Sequence, residues 1–582
     1  MRGRRALVAT AALFTLAAAP ALGAFADEEP AKFAKTNERF QHLTGTPAYQ
    51  ADLRQKGLRS PGEIAQIATG DPERNPFGNL CNNHDDGCAG DVRLYDWDKA
   101  KGNIRRGPIL WTARSGATIS GHVWAVAGGP ARKPGVVITN GSVQAPEQLY
   151  WPHAAALARA GYVVLTFDPQ TQGRSDGPGE EPTQDENSAA QSPGAFIEGT
   201  QDAIDFFLST PSARFRPRNA ATNASVNHAA KQNRRVAEGR NAAFNPLHAM
   251  IDRGKLGIAG HSLGALGVSV IASRDPRVDA VVAWDELRTT DTGPGADKAA
   301  GTAVPPRVPG LGMSGDYGIG SPNGAAAVHP KIRESAPDPQ GANAASRAFS
   351  KAKLPTGQIN TKGGTHFEYS VIPNPGFPAT LRGLDQAAWY TIAWFDKYLS
   401  GAERADRLLL TNRWQKDADN KRVDPQGDAN LYSKDLRSRI DVKRSDRSRA
   451  LCEDLRAGCG ILVDDRAGAF SAVGFGLGYE SLRAVRPARC ATRVAAPRRL
   501  DLSRSKRRLK VKLRLSQRTK VALRTRRRGG RTYRRTRTLR AGARSIVVKL
   551  PRRARAARYR VTVRMRCVSG RQAVARRLRV VR

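Results

Sequence analysis

The stretch from Lys255 to Gly267 restricts the fold of this chain most, because it has the pattern of a buried strand, a sharp turn and a helix in direct succession. Apolar residues lead into the pentapeptide Gly260-His-Ser-Leu-Gly264, and a further apolar run follows it as far as Ile271. Glycines two places to each side of Ser262 allow strand and helix to cross closely and to hold a serine in a strained turn with its hydroxyl exposed. The stretch therefore predicts a nucleophile elbow.

The pentapeptide alone is weak evidence, because the chain contains 56 glycines in 582 residues and the pattern can arise by chance. The alternative interpretation is a structural serine in a tight turn. The elbow is favoured because the flanking residues supply the required strand and helix, and the helix meets a stop signal at Ser273-Arg-Asp-Pro276.

The beginning of the chain predicts export. Met1-Arg-Gly-Arg-Arg5 is basic, the run from Ala6 to Gly23 is apolar, and Ala24-Phe-Ala26 is typical of a cleavage site. We therefore expect a signal peptide over residues 1–26 and a secreted chain; an uncleaved membrane anchor is the alternative. No other stretch has the length and hydropathy of a transmembrane segment.

Six cysteines in an exported chain favour disulfides. Of the 15 possible connectivities, closeness in sequence favours Cys81 with Cys88 and Cys452 with Cys459, and we expect Cys490 to pair with Cys567 because both fall in one small domain. Zinc is the alternative for the first pair, since His84 lies between the two cysteines, but a fourth ligand is not evident nearby.

The formal charge of +43 is divided unevenly along the chain. Residues 481–582 hold 38 of the 95 Lys and Arg residues but only one of the 52 acidic residues, Asp501. This contrast predicts a separate basic domain over 481–582. We expect an N-terminal extension over 27–105, a catalytic domain over 106–402 and a linker region over 403–480 before it.

Strands alternate with helices in the catalytic domain, which predicts an α/β fold with a mostly parallel sheet. A polar insertion with few residues that could form a hydrophobic core covers 212–245. Predicted strands lie at 109–113, 119–126, 136–139, 162–168, 278–284, 308–313 and 358–361, and predicted helices at 146–160, 195–208 and 384–399. In the basic domain, apolar and basic residues alternate over 509–515, 521–524, 545–550 and 559–566, which predicts a small β-sandwich with arginine on its outer faces.

A serine nucleophile needs a histidine base and an acid that orients the base, and after an elbow the chain order is serine, acid, histidine. Only His329 and His366 follow Ser262, and His366 is favoured because Gly363-Gly-Thr-His366 comes directly after the last predicted strand. For the acid we expect Asp316, which follows the strand 308–313, with Asp285 after the preceding strand as the alternative.

The tetrahedral intermediate of acyl transfer needs two N–H donors. We expect one from Leu263, directly after the nucleophile, and the other from Asn140-Gly-Ser142, with Ser142 preferred. His261 is interpreted as a spacer in the elbow. We expect no metal and no cofactor.

Several of these segments together resemble secreted α/β-hydrolases, and are similar to bacterial dienelactone hydrolase-like and cutinase-like serine esterases. They are the elbow, Gly161–Asp168 with Gly173-Arg-Ser-Asp176 behind it, Gly363-Gly-Thr-His366 and Trp394–Leu399. The resemblance covers about residues 105–402 and implies an α/β-hydrolase fold and a serine carboxylester hydrolase that forms an acyl-enzyme. The basic domain resembles, in composition, the Arg-rich C-terminal β-domains of exported actinobacterial proteins.

The first functional expectation is a secreted esterase that acts on a small-molecule or polymeric ester; acyl transfer to another alcohol and peptidase action use the same triad and stay open. The segment 286–306 is polar and lacks an apolar helical stripe, so we expect no interfacial activation. The alternative is a cell-surface protein that binds anionic wall polymers through residues 481–582, with the hydrolase fold secondary or inactive. The basic strands contain few aromatic residues, which argues against nucleic acid.

Overall fold

Two separate sets of strands make up the structure, one mixed with helices and one without. The computed structural model describes residues 47–76, 104–142, 146–177, 179–180, 193–221, 223–292, 301–315, 344–361, 366–370, 381–402, 405–410, 433–443, 449–452, 490–515, 518–527, 529–567 and 570–581. The predicted signal peptide, the cysteines at 81 and 88 with His84, and Asp316 and His329 lie outside these residues.

A ten-stranded mixed sheet forms the centre of the larger part, in the order β1-β2-β4-β3-β5-β6-β7-β8-β9-β10. Strands β3 to β8 run parallel to one another, and β1, β2, β9 and β10 extend the sheet with antiparallel pairings. The strands are β1 Ile104–Thr112, β2 Thr118–Val126, β3 Lys133–Thr139, β4 Val163–Phe167, β5 Ile251–His261, β6 Ala280–Trp284, β7 Gly310–Gly315, β8 Thr356–Thr361, β9 Ser433–Lys443 and β10 Arg449–Cys452.

Helices cover both faces of this sheet because its central strands are apolar on both sides. Val136 and Ile138 of β3 pack with one group of helices, whereas Val137 between them packs with the other. On the first face lie α2 Trp151–Ala160, α7 Leu381–Tyr398 and α8 Ala405–Leu410; on the second lie α3 Pro193–Phe207, α5 Leu263–Arg274 and α6 Ala344–Lys351. The remaining described helices are α1 Pro47–Gly70 and α4 Ala229–Ala237. The predicted α/β character is confirmed.

The sheet reaches further along the chain than the predicted catalytic domain. Strands β9 and β10 and helix α8 lie within 403–480, and Leu408, Ile440 and Cys452 belong to the same apolar core as α7. Those parts of the region that we predicted as a linker therefore belong to the large sheet and its packing. Strand β9 contains three apolar residues among eleven, Leu436, Ile440 and Val442, which explains why no burial pattern was recognised there.

The C-terminal part is all-β, as predicted. A three-stranded sheet, β11-β13-β16, and a five-stranded sheet, β12-β18-β17-β14-β15, enclose one apolar core. Strand β13 alternates strictly between exposed basic and buried apolar residues. The strands are β11 Ala491–Ala495, β12 Arg499–Asp501, β13 Arg508–Leu515, β14 Thr519–Arg527, β15 Thr532–Leu539, β16 Gly542–Lys549, β17 Ala557–Cys567 and β18 Gly570–Val581.

Two further sequence predictions concern cysteines and membrane spans. Cys452 and Cys490 are buried, and each is disulfide-bonded. The described contacts do not include their partners, so the three pairings stay predictions. Within the described ranges, no helix has the length and apolar character needed to cross a membrane.

Candidate active site

Ser262 lies between the end of β5 and the first residue of α5 and has the backbone angles φ 57° and ψ −120°. A positive φ at a residue other than glycine costs about 1–3 kcal/mol, so the surrounding structure must impose it. The Ser262 N–H donates to the Trp284 carbonyl of β6 at 3.0 Å, which anchors the turn to the neighbouring strand. The predicted strand, turn and helix are therefore present, with the serine at the apex.

The two glycines of the elbow are required by close backbone contacts. A Cβ at Gly260 would lie 2.3 Å from the Gly264 carbonyl oxygen, and a Cβ at Gly264 would lie 2.2 Å from the Asn140 carbonyl oxygen. Real Cβ atoms essentially never come this close to backbone atoms. The glycines thus permit α5 to start against both its own strand and the loop after β3.

His366 begins a short 3₁₀ turn, His366–Tyr369, shortly after β8, and its Nδ1 forms a hydrogen bond with Asp285 Oδ2. Both side chains are nearly buried, with 11% and 12% of their surface exposed. With Asp285 ionised, Nδ1 carries the proton and donates it to the carboxylate, because a carboxylate can only accept. The other ring nitrogen, Nε2, is then free of a proton and can act as a base.

The acid that contacts His366 among the described residues is Asp285, the alternative from the sequence. Asp285 directly follows β6, the strand next to β5 and the elbow, and its N–H donates to Met313 of β7 at 2.8 Å. Asp316 follows β7, one strand further from the elbow, and lies outside the described residues. Both carboxylates come after predicted strands, so the sequence pattern alone could not separate them. The sheet order supplies the missing information.

The loop Asn140–Ser142 lies against the nucleophile. A Cβ at Gly141 would lie 3.3 Å from Ser262 Cβ. The Gly141 N–H donates to the Tyr150 hydroxyl at 3.0 Å, so it is already engaged. Ser142, the next residue, is half-buried, and its N–H stays the predicted second oxyanion donor beside Leu263, whose N–H at the first position of α5 has no partner within the helix.

Two buried residues that the sequence analysis did not assign to catalysis link this loop to His366. The Tyr150 hydroxyl bonds His261 Nδ1 at 2.7 Å, and His261 Nε2 bonds the His366 carbonyl at 2.8 Å. Burial lowers the pKa of His261 well below its usual value, so the ring is neutral and carries one proton. A carbonyl can only accept, so Nε2 holds that proton and Nδ1 accepts from Tyr150.

The three hydrogen bonds therefore run in one direction. The Gly141 N–H donates to the Tyr150 hydroxyl, this hydroxyl donates to His261 Nδ1, and the His261 Nε2–H donates to the His366 carbonyl. His261 is thus more than the spacer we expected. Its place next to the serine was visible in the sequence, whereas no spacing rule connects Tyr150 with it across 111 residues. We refer to Gly141, Tyr150, His261 and the His366 carbonyl as the relay.

Buried carboxylates hold the loop from behind. Asp168, at the end of β4, accepts from the Glu147 N–H at 2.7 Å, the Asn140 side chain at 3.2 Å and the Arg174 N–H at 2.9 Å. Burial, and then the nearby charge of Glu147, raise the pKa of Asp168 above its usual value. Gly173 is required in this turn because its φ is 47° and an added Cβ would lie 2.4 Å from Asp168 Oδ2.

The end of the Gly173-Arg-Ser-Asp176 segment is structural rather than catalytic. Asp176 accepts from Arg74 at 2.9 Å and from the N–H groups of Asn75 and Thr118 at 3.0 and 2.8 Å. Arg174 forms an ion pair with Glu63 of α1 at 2.7 Å. The segment therefore ties the N-terminal helix to the sheet beside the site.

No known protein-family model matches this chain, and no curated protein is similar to it at a significant level.

Proposed function

We propose that the larger part of this chain is an α/β-hydrolase domain and that it cleaves carboxylic esters as an exported serine hydrolase. One observation supports this most: a strained Ser262 at the end of β5 is adjacent in the sheet to the strand that carries Asp285, and Asp285 holds the ring of His366. The sheet order, with antiparallel β2 beside β4 and a parallel β3 to β8, supports the same fold.

In the first half-reaction, Ser262 Oγ attacks the ester carbonyl and His366 Nε2 takes the hydroxyl proton. Asp285 stabilises the imidazolium through Nδ1–H, and the N–H groups of Leu263 and Ser142 are the expected donors to the oxyanion. The tetrahedral intermediate then expels the alcohol, which receives the proton from Nε2. An acyl-enzyme on Ser262 and a neutral His366 remain.

In the second half-reaction, water attacks the acyl carbonyl while Nε2 takes one of its protons. Collapse of this second intermediate returns the proton to Ser262 Oγ and releases the carboxylic acid. The relay supports both steps, because one end fixes the backbone of the oxyanion loop and the other fixes the backbone of the base.

The first test is hydrolysis of p-nitrophenyl acetate, butyrate and palmitate by the mature chain. We expect short acyl chains to be preferred, and Ser262→Ala to lower kcat by roughly 10⁴- to 10⁶-fold. Ser269→Ala is the matched control: this buried serine lies in α5, the helix that begins after Ser262, but its Oγ donates to the Ala265 carbonyl at 2.7 Å and accepts from the Arg288 N–H at 3.1 Å. Full activity of Ser262→Ala on these esters would contradict the proposal.

A fluorophosphonate probe provides a second readout that does not depend on the choice of ester. Ser262 Oγ displaces fluoride from phosphorus and becomes covalently labelled, whereas Ser262→Ala stays unlabelled and Ser269→Ala is labelled like the wild type. If Ser262 were labelled but no ester were hydrolysed, the triad would act on an acyl compound other than an ester.

A further inference from the structure

The outer face of the five-stranded sheet carries two rows of arginines. Strand register places Arg526, Arg560 and Arg577 side by side on β14, β17 and β18. It likewise places Arg558, Arg579 and Arg499 side by side on β17, β18 and β12. All six side chains are exposed, and together they define the arginine face.

Strand geometry fixes the spacing of these charges. Neighbouring strands lie about 4.8 Å apart, and the two rows are two residues apart on β17 and β18, or about 6.7 Å. Like charges directly opposite each other destabilise a sheet. The arginine face contains four such pairs, so the folded protein carries an electrostatic cost that a bound polyanion would remove.

Among the described residues of this region, no acidic side chain pairs with the arginine face. Asp501 is the one acidic residue between 481 and 582. Its Oδ1 accepts from the Ser503 hydroxyl at 2.6 Å and from the Ser503 and Arg504 N–H groups at 2.9 and 3.1 Å, so it is engaged in its own turn.

We propose that the arginine face binds a polymer of phosphodiester-linked polyols, an anionic chain without bases. Each guanidinium offers two parallel donors to one phosphate, which suits arginine better than lysine for this contact. Single-stranded nucleic acid gains much of its affinity from bases stacked on aromatic side chains, yet Tyr559 of β17 is buried in the core and none of the six positions is aromatic. A membrane surface would require apolar side chains for insertion, and the one large hydrophobic residue that is exposed among the described residues is Leu451, on β10.

The test measures binding of poly(glycerol phosphate) to the mature chain carrying Ser262→Ala, so that binding is separated from catalysis. The triple variant Arg526→Gln, Arg560→Gln, Arg577→Gln is expected to weaken binding at least roughly tenfold in 0.1 M salt and to lower the slope of log K against log salt by about two. The matched control, Lys510→Gln, Lys512→Gln, Arg514→Gln, removes the same charge from exposed positions of β13 in the other sheet. It is expected to weaken binding less than threefold.

A second triple variant, with lysine in place of Arg526, Arg560 and Arg577, keeps the charge and removes the planar fork. We expect it to bind between the wild type and the glutamine variant, and to report on the contact even if the glutamine variant fails to fold. Equal weakening by the glutamine triples of the two sheets would overturn the proposal in favour of bulk charge. Tighter binding of oligo(dT), or of vesicles with anionic phospholipids, at the same salt would overturn it in favour of those partners.

Discussion

The large sheet and the C-terminal β region hold charge in opposite ways. Around the large sheet, charged side chains are buried with specific partners: Arg235 contacts Asp71 and Glu73, and Arg114 pairs with Asp202 at 2.6 Å. The arginine face instead exposes like charges beside each other. Buried, partnered charges fix geometry, which catalysis needs, whereas exposed, unpartnered charges are suited to a diffuse polyanion.

The largest expected effect comes from the acid of the triad, a nearly buried charge with a specific partner. Asp285→Asn is expected to lower kcat on p-nitrophenyl acetate by roughly 10⁴-fold, because an amide cannot hold His366 in the tautomer with a free Nε2. Asp316→Asn is the matched control, and we expect its kcat to stay within threefold of the wild type. A large loss in Asp316→Asn with little loss in Asp285→Asn would return the acid to the position expected from sequence.

The next largest effect concerns folding. Arg235 is fully buried, and Arg235→Met should lower the free energy of unfolding by about 2–3 kcal/mol, since Asp71 loses a partner that bonds it through two nitrogens and Glu73 loses one of its two arginines. Arg240→Met is the control, because Arg240 bonds the same Asp71 but is 36% exposed; there we expect less than about 1 kcal/mol. Urea unfolding in low and high salt measures both. Similar, salt-sensitive losses would mean that burial adds nothing to the Arg235 contacts.

Burial of His153 also makes the free energy of unfolding of the large-sheet part depend on pH. It lowers the pKa of His153 from 6.5 to about 4. Between these two pH values the histidine is protonated in the unfolded chain but stays neutral in the folded chain. Stability attributable to His153 is therefore present above pH 6.5 and is lost as the pH falls towards 4. His153→Gln is expected to reduce the loss of unfolding free energy between pH 7 and pH 5 by about 1–2 kcal/mol. An identical loss in wild type and His153→Gln would refute this assignment.

The sequence predicted those elements whose side chains repeat a burial pattern. The central strands were found because both faces are apolar, and β13, β14, β16 and β17 because apolar and basic residues alternate. Strand β15 was missed since it buries almost nothing, as expected for an edge strand. Ser262 and His366 followed from local patterns, whereas the choice of Asp285 and the part played by Tyr150 depend on which strands are neighbours, and no local pattern contains that information.

The smallest predicted effect tests whether the relay positions the site or only stabilises the fold. Tyr150→Phe removes the hydroxyl that donates to His261 Nδ1 and accepts from the Gly141 N–H. We expect kcat to fall roughly tenfold while KM stays within twofold, because about 1.4 kcal/mol from the two lost hydrogen bonds would act on the oxyanion loop.

Tyr162→Phe is the matched control for this change. Its buried hydroxyl donates to Asp396 at 2.9 Å, on α7 and outside the relay, so its loss should lower the melting temperature and leave kcat unchanged. If Tyr150→Phe behaved in the same way as Tyr162→Phe, with a lower melting temperature and full kcat, the relay would be a structural contact of the same kind as those elsewhere around the large sheet. A loss of kcat without a loss of stability would instead show that the relay positions the catalytic groups.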